Sequence, residues 1–141
     1  MSNDNENTPL EQSLRELEGP PPTAWELYGT KSGVTFSGEG SATPGSVDNV
    51  LHIKSTNGKK AILVAGITQS NITAGGLTYY ALPFLILIPD LQLDAVSGKV
   101  DLPAPLPASL IPGTMVFMQC FAESNTNNYS KWSEGLKLTV Q

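Results

Sequence analysis

The sequence predicts an all-β chain, an antiparallel β-sandwich of jelly-roll or Ig-like type carrying a short N-terminal helix and a Pro-rich arm. Three observations lead there. Apolar residues recur with period two over most of the chain, the mark of half-buried strands. Only 15% of the 141 residues are charged, while thirteen glycines and eleven prolines supply frequent turns, a balance that suits sheets better than helices. A chain of this length also buries an adequate core without disulfide or metal staples. The expected division is an arm over 1–22 and a sandwich domain over 23–141.

The arm comes first. Thr8-Pro9-Leu10-Glu11 reads as a capping box, with Pro9 at the first helical position where its missing N–H costs nothing. Leu10, Leu14 and Leu17 then fall on one helical stripe. Gly19 followed by Pro20-Pro21-Pro22 stops the helix and makes a stiff, extended spacer. A helix of about ten residues is marginal alone, so the leucine stripe needs a surface, either its own body or a neighbouring subunit. Leu10, Leu14, Leu17, Pro20, Pro21, Pro22 and Trp25 are the candidate partner-binding residues.

Beyond Thr23 the period is two. Val34 and Phe36 alternate with Thr35 and Ser37, Leu51 and Ile53 with His52 and Lys54, and Leu136, Leu138 and Val140 with Lys137, Thr139 and Gln141. Asn57-Gly58 between Leu51–Ser55 and Lys59–Ala65 predicts a type I′ hairpin. Ala61–Ile67, Leu82–Ile88 and Met115–Ala122 are apolar on both faces and read as central strands, buried in a core or a subunit interface. Pro83 inside the second favours a bulge or edge position. Glycines at 66, 75, 76, 98 and 113 mark turns, and seven to nine strands are expected.

Charge is uneven. Residues 1–18 hold Asp4, Glu6, Glu11, Glu16 and Glu18 against Arg15, a net −4, while the remainder holds eight acids and seven lysines. There is no Lys/Arg run to bind a phosphate backbone, so no nucleic-acid partner is expected. The apolar run Ala81–Pro89 is too short to span a bilayer, and no secretory signal is legible.

Chemistry is limited by one His and one Cys. A Ser–His–acid triad would have to use His52 and a Cys–His pair would need Cys120, while no His/Cys metal cluster can form. No cofactor is expected. Asp90, Asp94 and Asp101 could offer hard oxygen ligands to calcium, yet the first two read as polar alternates of a strand. Tyr129 and Trp132 in an Asn/Ser-rich stretch form a candidate sugar platform, since flat aromatic faces stack on sugar C–H groups; the alternative is that they pin strands.

The second half resembles a small β-sandwich module that recurs at the C-terminal ends of secreted planctomycete and myxobacterial proteins. The segments that carry the resemblance are Leu82-Pro83-Phe84-Leu85, Val96-Ser97-Gly98-Lys99-Val100, Leu110-Ile111-Pro112-Gly113 running on to Met118-Gln119, and Trp132-Ser133-Glu134-Gly135-Leu136. It covers roughly residues 30–141 and implies a fold, with no activity attached. The stand-alone form is similar in architecture to phage capsid decoration (cement) proteins. Together these readings set the expectation of a non-enzymatic assembly protein, a homo-oligomer or part of a capsid or particle shell, located at a virion or particle surface. The alternative is a carbohydrate- or surface-binding module in an extracellular setting.

Overall fold

A computed structural model describes residues 23–56, 59–125 and 128–141. The helix and spacer expected over 8–22, with six of the seven candidate arm residues, lie outside the described residues, as does the Asn57-Gly58 turn. The described residues are all-β and antiparallel, with no helix. Eleven strands are present: β1 Trp25–Tyr28, β2 Thr35–Glu39, β3 Val50–Lys54, β4 Lys60–Gly66, β5 Ile72–Ala74, β6 Leu77–Tyr79, β7 Ile86–Gln92, β8 Lys99–Pro103, β9 Met115–Asn125, β10 Asn128–Trp132 and β11 Gly135–Thr139.

The large sheet runs β1-β11-β9-β4-β7, with β10 also paired to β9; the small sheet runs β2-β3-β8; β5 and β6 form a separate hairpin. One face of each of the two sheets points into a shared core. Phe36, Leu51 and Ile53 from the small sheet meet Ala61, Leu63, Met118, Cys120, Leu136 and Leu138 from the large one. These are the apolar alternates of period-two segments, so burying one face of each sheet satisfies the sequence pattern.

Over β4 and β9 the second face of the large sheet is covered as well. The segment between β4 and β7 folds back over it, burying Tyr80 and Ala81. Tyr80 meets Tyr28 edge-on at 5.7 Å, and Tyr79 packs against Phe121 at 5.4 Å. Gln119, fully buried on the same face, ties the cover down. Its Oε1 accepts from the Tyr80 amide at 2.9 Å, and its Nε2 donates to the carbonyls of Thr78 at 2.8 Å and Ser133 at 3.1 Å. This explains why β4 and β9 are apolar on both faces, as expected of central strands.

Two expectations need correcting. The strands flanking Asn57-Gly58 do not pair: β3 sits between β2 and β8, and β4 between β9 and β7. The tight two-residue hairpin is instead at Gly75-Gly76, joining β5 to β6 with φ of 59° and 82°, the left-handed pair that a type I′ turn demands. The apolar stretch Leu82–Ile88 is not a central strand either. Its strand starts at Ile86 and, among the described residues, pairs with β4 alone, the edge position that Pro83 favours.

Candidate functional site

The outer face of the small sheet gathers its only histidine and most of its polar side chains. Register alone sets the arrangement. Ser37 pairs with His52, and His52 with Asp101, so the three stand in one cross-strand row. His52 Nδ1 lies 2.7 Å from Asp101 Oδ1, and Nε2 lies 3.4 Å from Glu39 Oε1. The hydrogen bond to Asp101 leads the causes that raise the imidazole pKa, against a smaller opposing effect of burial. With both ring nitrogens facing carboxylates, none is left to take a proton from the Ser37 hydroxyl. His52 therefore bridges β3 to β2 through Glu39 and to β8 through Asp101.

A pH dependence follows. The raised pKa means the folded state holds the proton more tightly, so the bridge contributes fully below the ordinary imidazole value of 6.5 and fades as pH rises through the raised value. The side chain is 38% exposed, so screening keeps the effect under about 1 kcal/mol. The urea midpoint is expected to fall slightly between about pH 5.5 and 8.5, and His52→Asn should flatten that slope. An equal slope in the variant would assign it elsewhere.

Two of the three aspartates considered for calcium are engaged by other groups. Asp101 faces His52. Asp94 accepts from the amides of Ser97 at 2.7 Å and Val96 at 3.0 Å, and the Ser97 bond leads the effects holding its carboxyl below the usual range. Asp90 occupies a positive-φ position (58°) at the irregularity in β7. Among the described residues no group of three or more His, Cys, Asp or Glu side chains is placed to hold a metal ion.

Trp25, grouped with the arm, is a residue of β1. It pairs with Leu138, and its Nε1 donates to the Gly40 carbonyl at 3.1 Å. Its ring fills the place of a side chain at position 38: a Cβ there would fall 2.3 Å from it. Trp25 thus locks β1 onto the end of β2. Cys120 is wholly buried, and burial drives its thiol pKa well up, which leaves it inert.

Tyr129 and Trp132 are brought to one face. Three residues apart, they would point to opposite sides of a regular strand, but irregular register in β10 sets Tyr129 opposite Glu123 and Trp132 opposite Phe121. Both are half-buried. Burial first, then the negative charges of Glu123 and Asp90, push the Tyr129 phenol upward. Among the described residues the buried indole N–H of Trp132 has no hydrogen-bond partner.

The edge that Pro83 favours is strongly apolar. Leu85, Ile86, Leu87 and Ile88 are 62%, 58%, 53% and 37% exposed, at the start of edge strand β7, with side chains of both faces left open by the described residues. Composition alone does not tell such a run from a buried strand; Pro83 is the one local sign of an edge. Comparison with known proteins finds no match to the chain among family models, curated proteins or solved structures.

Proposed function

We propose that the chain is a non-enzymatic structural protein, a β-sandwich of jelly-roll or Ig-like type that assembles with copies of itself or onto a larger particle shell. The concrete form is a capsid or particle decoration (cement) protein at a particle surface, docking through the arm over 1–22 and through sandwich surfaces. The observation that carries this reading is the exposed aliphatic run Leu85–Ile88 on an open sheet edge. Soluble proteins usually blunt such edges with charge, and contiguous exposed apolar surface marks interaction sites. The acidic arm would add avidity to that contact.

Light scattering tests it. The full chain is expected to give a mass above the 15.0 kDa monomer, reduced on deleting residues 1–22 and again by the double change Ile86→Lys and Ile88→Lys. Both isoleucines are exposed, so the double variant should keep its fold. A full chain that stays monomeric at high concentration, indifferent to all these changes, would sink the reading.

The second reading, a carbohydrate-binding module, is favoured by the irregular register that sets Tyr129 and Trp132 on one face. Tryptophan fluorescence titrated with a broad polysaccharide panel is expected to shift under that reading. A flat response in Trp132-containing chain across the panel counts against it.

A further inference from the structure

Two cross-strand rows on the outer face of the small sheet carry opposite chemistry. Thr35, Lys54 and Lys99 form the first, and Ser37, His52 and Asp101 the second, about 7 Å further along the strands. Lys54 and Lys99 stand directly opposite one another, an arrangement that costs stability through repulsion. Among the described residues neither has a carboxylate within ion-pair distance. The two acids of this face, Asp101 and Glu39, are both turned to His52. A third cation joins from the preceding loop: Lys31 Nζ donates to Thr35 Oγ1 at 3.2 Å. Three lysines far apart in sequence thus stand on and beside one cross-strand row, and among the described residues the nearest carboxylate of this face, Asp101, is already paired with His52.

Between the rows lies a depression of about 330 Å³ lined by Thr35, Ser37, His52, Lys54, Lys99 and Asp101. It combines what an oxyanion needs, ammonium donors whose repulsion an anion relieves and hydroxyl donors beside them. It is also larger than a bare oxyanion requires, leaving room for the group that carries one. We propose that this depression binds a phosphate or sulfate group, free or as an ester, held by Lys54 and Lys99 with the hydroxyls of Thr35 and Ser37. The site is independent of the assembly reading, since it lies on the small sheet and the β7 edge belongs to the large one.

The test titrates the full chain with sodium phosphate, sodium sulfate and glucose 6-phosphate, each against sodium chloride at matched ionic strength, following backbone amide shifts. Saturable shifts confined to β2, β3 and β8 are expected. The double variant Lys54→Gln, Lys99→Gln should weaken binding at least about tenfold, each ammonium supplying a charge-assisted hydrogen bond, whereas Lys59→Gln should leave it unchanged. The double variant also removes a like-charge pair, so its unfolding temperature should not fall, and lost binding would not reflect lost folding. Tighter binding of the ester supports an ester ligand, and equal binding supports recognition of the oxyanion alone. No saturable response to any of the three, or a response that survives the double variant, overturns the proposal.

Discussion

Replacing Gln119 by Leu is expected to cost roughly 3–5 kcal/mol, because it strands three backbone groups at once. The Tyr80 amide would lose its acceptor, and the carbonyls of Thr78 and Ser133 their donor. Gln119 and Tyr80 are both buried, so water does not readily replace the lost bonds, and each unsatisfied buried group costs about 1–3 kcal/mol. Leucine keeps most of the volume, which separates the hydrogen-bond effect from that of a cavity. Against a typical stability of about 5–15 kcal/mol this is a large loss, about 10–20 °C in Tm. Hydrogen exchange should locate it. The amide of Tyr80 is expected to lose protection before those of β2 and β3, since Gln119 pins the covering segment rather than the sheets. A loss below about 1 kcal/mol would mean that the cover is held by its aromatic contacts alone.

The second large effect is expected at Phe36, a fully buried ring on the inner face of β2. It stands beside Ile53 in the register and belongs to the cluster both sheets share. Phe36→Ala removes the ring and leaves a cavity that strands on two sides cannot close, at a cost of about 3–5 kcal/mol. Phe36→Leu should cost roughly 1–2 kcal/mol. Urea unfolding of the two variants measures both. If they cost the same, the loss does not scale with the void, and the small sheet is held from elsewhere.

How much of this was legible depends on the scale of the interaction. Period-two alternation marked the inward residues of β2, β3 and β11, and all of the apolar alternates Val34, Phe36, Leu51, Ile53, Leu136, Leu138 and Val140 are buried. The doubly apolar segments at Ala61 and Met115 became the central strands β4 and β9. Leu82–Ile88 looks the same by composition yet ends at an open edge, because composition does not record whether the chain itself supplies a neighbour. Asn57-Gly58 predicted a hairpin from local turn propensity. The flanking strands find better partners elsewhere: β4, apolar on both faces, takes β7 and β9, and β3 takes β2 and β8.

The candidate sites were less legible than the core. Trp25 stands close behind the proline run in sequence, whereas pairing with β11, more than a hundred residues later, makes it part of the large sheet. His52 and Asp101 are each the polar alternate of an apolar strand, and the forty-eight residues between them hide that they are neighbours. The same holds for Lys31, Lys54 and Lys99, which form no run in the sequence.

The sequence by itself therefore determined the class of structure and the inward face of most strands, since both follow from short-range periodicity and from the gain in burying apolar alternates. It also bounded the chemistry, by offering one imidazole and one thiol. The tertiary structure decided register, edges and neighbours: which strand lies outermost, which lysines face each other, and what His52 bridges. Those depend on pairings between distant segments, where a shift of one residue would send each side chain to the opposite face, and no local pattern carries that information.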